Sequence, residues 1–107
     1  MKFKPTEDQA KAVVARLGSM WKYSDLSKNF LYWKTRDNDS VDSYGWTRAT
    51  EADITLAMLK AATVQRDPEA KVVMSMHKEL MIANAENRDV NFMKAVMEAF
   101  ILLPELA

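Results

Sequence analysis

Apolar residues recur at helical spacing over most of this chain, and their phase divides it into segments. Ala10, Val13, Val14 and Leu17 mark one face of a first helix. Thr6 and Gln9 stand at capping-box spacing ahead of it, with Glu7 and Asp8 in the first turn where acids suit the helix dipole. Gly18 is a natural stop, yet Met20 and Trp21 continue the stripe, so two C-terminal limits stay open. A second helix begins after Thr50, with Glu51 and Asp53 in its first turn. Its apolar residues, Ile54, Leu56, Met58, Leu59, Ala61, Ala62 and Val64, cover more than one face, which predicts a central position. Asp67-Pro68-Glu69 reads as a restart, an Asp cap followed by Pro at the first helical position. The helix it opens carries Val72, Val73, Met76, Leu80 and Ala83 on its core side, with Met74 and Met81 on a neighbouring stripe. After a polar break at 84–88, Asp89 is expected to cap a last helix. That helix has Met93, Val96, Met97, Phe100 and Leu103 inward and ends before Pro104.

Residues 23–48 lack this clarity. Phe30 to Thr35 and Tyr44 to Thr47 are rich in strand formers, and the segment between them has turn composition, which describes a β-hairpin. Leu26, Phe30 and Trp33 also fall at i, i+4 and i+7, which describes a short helix capped by Ser24. The fold class expected is therefore mostly α: a small helical bundle of about four helices in a single domain, residues 1–107. The hairpin around residues 30–48, which would make it α+β, is one of two readings. Two glycines and three prolines are too few for a sandwich of many short strands.

Composition alters this picture little, but charge alters it more. The net charge is zero, which excludes a polybasic nucleic-acid condenser. The zero is nevertheless a sum of unlike halves, a net of +3 over residues 1–48 and −3 over 49–107. Cysteine is absent, so disulfides, thiolate zinc sites and a cysteine nucleophile are excluded. The N-terminus has no apolar signal region and no apolar run approaches a membrane span, so a soluble, cytoplasmic chain with no membrane partner is expected.

Catalytic and metal motifs are missing. The one histidine, His77, has Val73, Met74, Leu80 and Met81 at helical contact spacing and no carboxylate there. Asp37, Asp39 and Asp42 suggest a calcium loop, but Val41, Asp42 and Arg48 occupy positions 5, 6 and 12, where a ligand, Gly and Glu belong. No phosphate-binding glycine loop is present. The expectation is a protein that is not an enzyme and uses no cofactor or metal.

Two features point instead to binding. Six of eight methionines follow residue 57, and Met74 and Met81 lie off the expected core stripe, as a pliable docking surface would. Seven of ten aromatics fall between Trp21 and Trp46, interleaved with Lys22, Lys28, Lys34, Arg36 and Arg48. Tyrosine and tryptophan are favoured as interface anchors. Aromatics among basic residues also describe a platform for single-stranded nucleic acid. The candidate interaction surface is Tyr32, Trp33, Arg36, Asp37, Asp39, Asp42, Tyr44 and Trp46, together with Met74 and Met81. In it the acidic turn would meet basic groups on a partner. The function expected is that of an adaptor, regulator or inhibitor binding another protein, with homo-oligomer formation as a further option. The alternative is nucleic-acid binding through the basic, aromatic first half.

Overall fold

The computed structural model describes residues 4–26, 29–35, 46–64, 67 and 69–105. Within these, 24–26, 29–35 and 46–47 enter through their backbone alone. The described residues form four helices and one three-stranded antiparallel sheet.

Helix α1, Glu7–Leu17, opens with the expected capping box. The Gln9 amide donates to Thr6 Oγ1 at 3.1 Å, and the Thr6 amide donates to Gln9 Oε1 at 2.9 Å. It stops at Gly18, whose φ of 102° only glycine adopts without cost, and the Gly18 amide closes on Val14 O at 3.1 Å. The tight turn from Gly18 to Trp21 then starts strand β1, Trp21–Leu26. This settles the two limits for the first helix: Met20 and Trp21 lie beyond it.

Strand β1 pairs with β2, Asn29–Thr35, from Trp21 opposite Lys34 to Leu26 opposite Asn29. In turn β2 pairs with β3, Trp46–Arg48, with Trp33 opposite Arg48. The hairpin around residues 30–48 is thus the reading the fold adopts, and the helix capped by Ser24 is not. An extra strand, β1, joins it. Trp21 and Tyr23, one pleat repeat apart, are partly buried against the core, while Lys22 between them is exposed. The sheet packs on α1.

Helix α2, Glu51–Val64, has Thr50 as its cap. The Asp53 amide donates to Thr50 Oγ1 at 3.1 Å and the Thr50 amide to Asp53 Oδ2 at 3.0 Å. Only Ile54, Met58 and Ala62 are buried, one narrow stripe, and Leu56 and Val64 are exposed. The helix nevertheless packs against all three other helices, as a central position requires, and it shares that position with α4, Phe92–Phe100, which also meets all three and buries Met93, Val96, Met97 and Phe100. Its inward residues are those expected from spacing, and Leu103, in the turn beyond its end, is buried with them. Its cap is Asn91, whose side chain accepts from the Lys94 amide at 3.1 Å, rather than Asp89.

Helix α3, Lys71–Glu86, starts later than Asp67-Pro68-Glu69 suggests. Ala70 precedes it in the left-handed region, φ 50°, and Asp67 reaches across to accept from the Val72 amide at 3.0 Å. Asp67 still satisfies an N-terminal amide, from five residues away. Pro68 lies outside the described residues. Asn87, at φ 54°, ends the helix, and the Arg88 amide closes on Ala83 O at 2.9 Å.

Candidate docking face on helix α3

The inward side of α3 is more polar than its sequence suggests. Val72 and Ala83 are fully buried and Met76 is half-buried against the core. Between them along the same side stand Ser75 and Glu79. Ser75 Oγ donates to Ala95 O on α4 at 2.7 Å. The Glu79 side chain, 14% exposed, accepts a bidentate pair from Arg88, at 2.7 and 2.9 Å, and a third bond from the Asn91 amide at 2.8 Å. Arg88 also donates from Nε to Glu86 at 2.7 Å. Hydrogen bonds from Arg88 and then from the Asn91 backbone hold the Glu79 carboxyl down at about 2, and its partners push Arg88 upward. The turn between the two helices is thereby fastened to α3.

Because polar groups occupy part of the inner side, apolar residues occupy the outer one. Val73 is 47% exposed, Met74 64%, Leu80 42% and Met81 72%, and His77 among them is exposed. Val73 and Leu80 were expected in the core and are not, since the core stripe runs through 72, 76, 79 and 83. The signal that would have found this is Glu79, which has an Arg nine residues on to neutralise it. Without that pairing, a carboxylate at a core position is costly and the phase chosen from hydrophobicity is the natural one.

The other candidate residues fall elsewhere. The backbone of Tyr32 and Trp33 lies in β2, opposite Tyr23 and Lys22 respectively, and Trp46 opens β3 opposite Thr35. Arg36, Asp37, Asp39, Asp42 and Tyr44 lie outside the described residues. The sheet packs chiefly on α1 and α3 chiefly on α4, so the candidate set divides between two regions. Beside this outer face, Ser75, Lys78, Glu79, Arg88, Lys94 and Glu98 line an open groove of about 520 Å³ between α3 and α4. Within it Glu79 is paired with Arg88. No group of three or more His, Asp or Glu side chains able to hold a metal occurs among the described residues, and no described helix is long and apolar enough to cross a membrane.

No known protein family matches the chain, and no curated protein and no solved structure is detectably similar to it.

Proposed function

We propose that this chain is a non-catalytic interaction protein, of the adaptor, regulator or inhibitor type, that binds another protein through the outer face of α3. One observation carries the reading: Val73, Met74, Leu80 and Met81 are exposed together while Ser75 and Glu79 of the same helix are turned inward. Single exposed apolar residues are ordinary, and four grouped on one helix support an interaction surface. Methionine suits such a surface because it adapts to the shape of what it meets. A cysteine-free chain fits work in the reducing cytoplasm. The test is affinity capture from the source cell, comparing the native chain with one carrying Met74→Lys and Met81→Lys. A protein recovered by the native chain and reduced at least about tenfold by the double substitution supports the reading, since losing two anchors of an interface removes more than 1.4 kcal/mol. Equal recovery with both chains refutes it.

A second reading, nucleic-acid binding, is favoured by the strand register. Lys22, Trp33 and Arg48 stand in one row across the three strands, with Lys22 and Arg48 exposed. Two exposed cations in one register row suit a single strand, whose phosphates need them. It requires oligonucleotide affinity that falls steeply with salt, by counterion release. Affinity that is absent at low salt disposes of it.

A further inference from the structure

His77 is the only histidine of the chain and cysteine is absent, so its soft donors are one imidazole and the methionine thioethers. Three of these donors share the outer side of α3. Met74 is 64% exposed and Met81 72%, and His77 between them is exposed. Methionine is ordinarily buried, as Met58, Met93 and Met97 are here, so core packing does not account for two exposed thioethers beside the one imidazole. We infer that Met74, His77 and Met81 form a binding site for a soft monovalent metal ion, Cu(I).

Spacing brings the donors within reach of one ion. Met74 precedes His77 by three residues and Met81 follows it by four. Both separations make side chains neighbours on a helix, about 5–6 Å apart at Cβ. Helical side chains lean toward the N-terminus, which sets Met81 over His77 and His77 over Met74. The methionine side chain is unbranched and flexible, so its sulfur closes the remaining gap without moving the backbone. All three donors stand well inside α3, Lys71–Glu86, so the helix fixes the frame while the side chains adjust.

Chemistry selects the ion. Thioether sulfur is a soft, neutral donor, and together with imidazole it favours Cu(I) over harder ions. Calcium and magnesium need oxygen ligands, and the residues at contact spacing from His77 are Val73, Met74, Leu80 and Met81. Zinc takes thiolate, imidazole and carboxylate, and a single imidazole is too little for it. Neutral donors leave the charge of the ion uncompensated, so a monovalent ion sits beside apolar side chains at less cost than a divalent one. Val73 and Leu80 flank the donors and keep part of the surrounding water away, which favours bonds that water contests. The site goes beyond the docking reading and does not depend on it.

Anaerobic titration of the full chain with Cu(I), held reduced by ascorbate and supplied from a coloured chelator complex, tests the site. The expected result is transfer of a single ion per chain. In NMR spectra the Met74 and Met81 methyls and the His77 ring then shift, while Met20, exposed but outside α3, does not. Met74→Leu and Met81→Leu keep the face apolar and should each weaken binding about tenfold or more, as should His77→Gln. Circular dichroism checks that the variants keep their helices. Failure to withdraw Cu(I) from a chelator of about micromolar affinity overturns the inference. So does a Met20 shift as large as those on α3, an equal response to Zn(II), or binding that survives the combined leucine variant unchanged. No partner protein takes part, so either outcome leaves the docking reading to its own capture experiment.

Discussion

Glu79 is the residue on which the placement of α3 turns. Its carboxylate accepts two bonds from Arg88 and one from the Asn91 amide, so the folded state holds the charged form more firmly than the unfolded chain does. The folded value is about 2 against an ordinary 4.5. A lowered carboxylate value stabilises the fold fully above the unfolded value and loses that contribution as pH falls from about 4.5 to about 2. Glu79→Gln should therefore lower the thermal midpoint at pH 7, and its gap from the native chain should narrow over that acid window. Melting curves recorded at pH 7, 4 and 2.5 check both parts, and a constant gap would contradict the assignment. Ala70 is the opposite case, a residue whose backbone works against stability. An L-residue in the left-handed region costs about 1–2 kcal/mol, and glycine escapes that cost while losing some chain entropy on folding. Ala70→Gly should raise stability by about 0.5–1 kcal/mol in urea titration.

At the scale of elements, the caps of α1 and α2 were legible, while those expected at Asp67 and Asp89 for α3 and α4 gave way to Ala70 and Asn91. Thr6 with Gln9 was legible as a capping box and Thr50 as a cap, because a cap is a local bond between neighbours; that Asp53 bonds back to Thr50 was not. Thr50→Ala should cost about 1 kcal/mol and Thr50→Ser much less, measured by chemical unfolding. The inward residues of α4 were equally legible, since Met93, Val96, Met97 and Phe100 leave one strongly apolar side. The phase of α3 was not, because the bond that decides it is non-local. Arg88 and the Asn91 amide must arrive before Glu79 belongs inside, and no window on α3 contains them. Strand β1 was hidden for a similar reason: Trp21 extends the stripe of α1, and only the backbone turn at Gly18 separates the two. Met74 and Met81 were legible as lying off the core, while Val73 and Leu80, which complete the face, were not.

At the scale of the whole molecule, the unlike charges of the two halves acquire a place. The net-positive first half holds α1 and the sheet; the net-negative second half holds α2, α3 and α4. They join where α1 packs on α2 and α4, through Val13 and Ala10 on one side and Phe100 and Met58 on the other. Arg16 reaches across that junction. Its Nε donates to Leu103 O at 2.7 Å, just past the end of α4, its Nη1 donates to Ala12 O at 2.8 Å, and Glu105 lies 3.9 Å from the same Nη1. A cation at the C-terminal end of a helix meets carbonyls that have no intrahelical donor and the negative end of the dipole. The side chain is 13% exposed, so water is a poor substitute for it. Arg16→Met keeps the packing of the stem but leaves the Leu103 carbonyl without its donor, at a cost of about 1.5–3 kcal/mol for a charge-assisted bond. Glu105→Gln removes only the distant, solvent-facing partner and should cost about 0.5 kcal/mol or less. If the halves were instead held together by net charge, the two substitutions would be of similar size and both would fade in high salt. Unfolding of the two variants at 50 mM and 500 mM salt separates the cases: a large, salt-independent loss confined to Arg16→Met shows that one placed donor, and not the summed field of two halves, closes the junction.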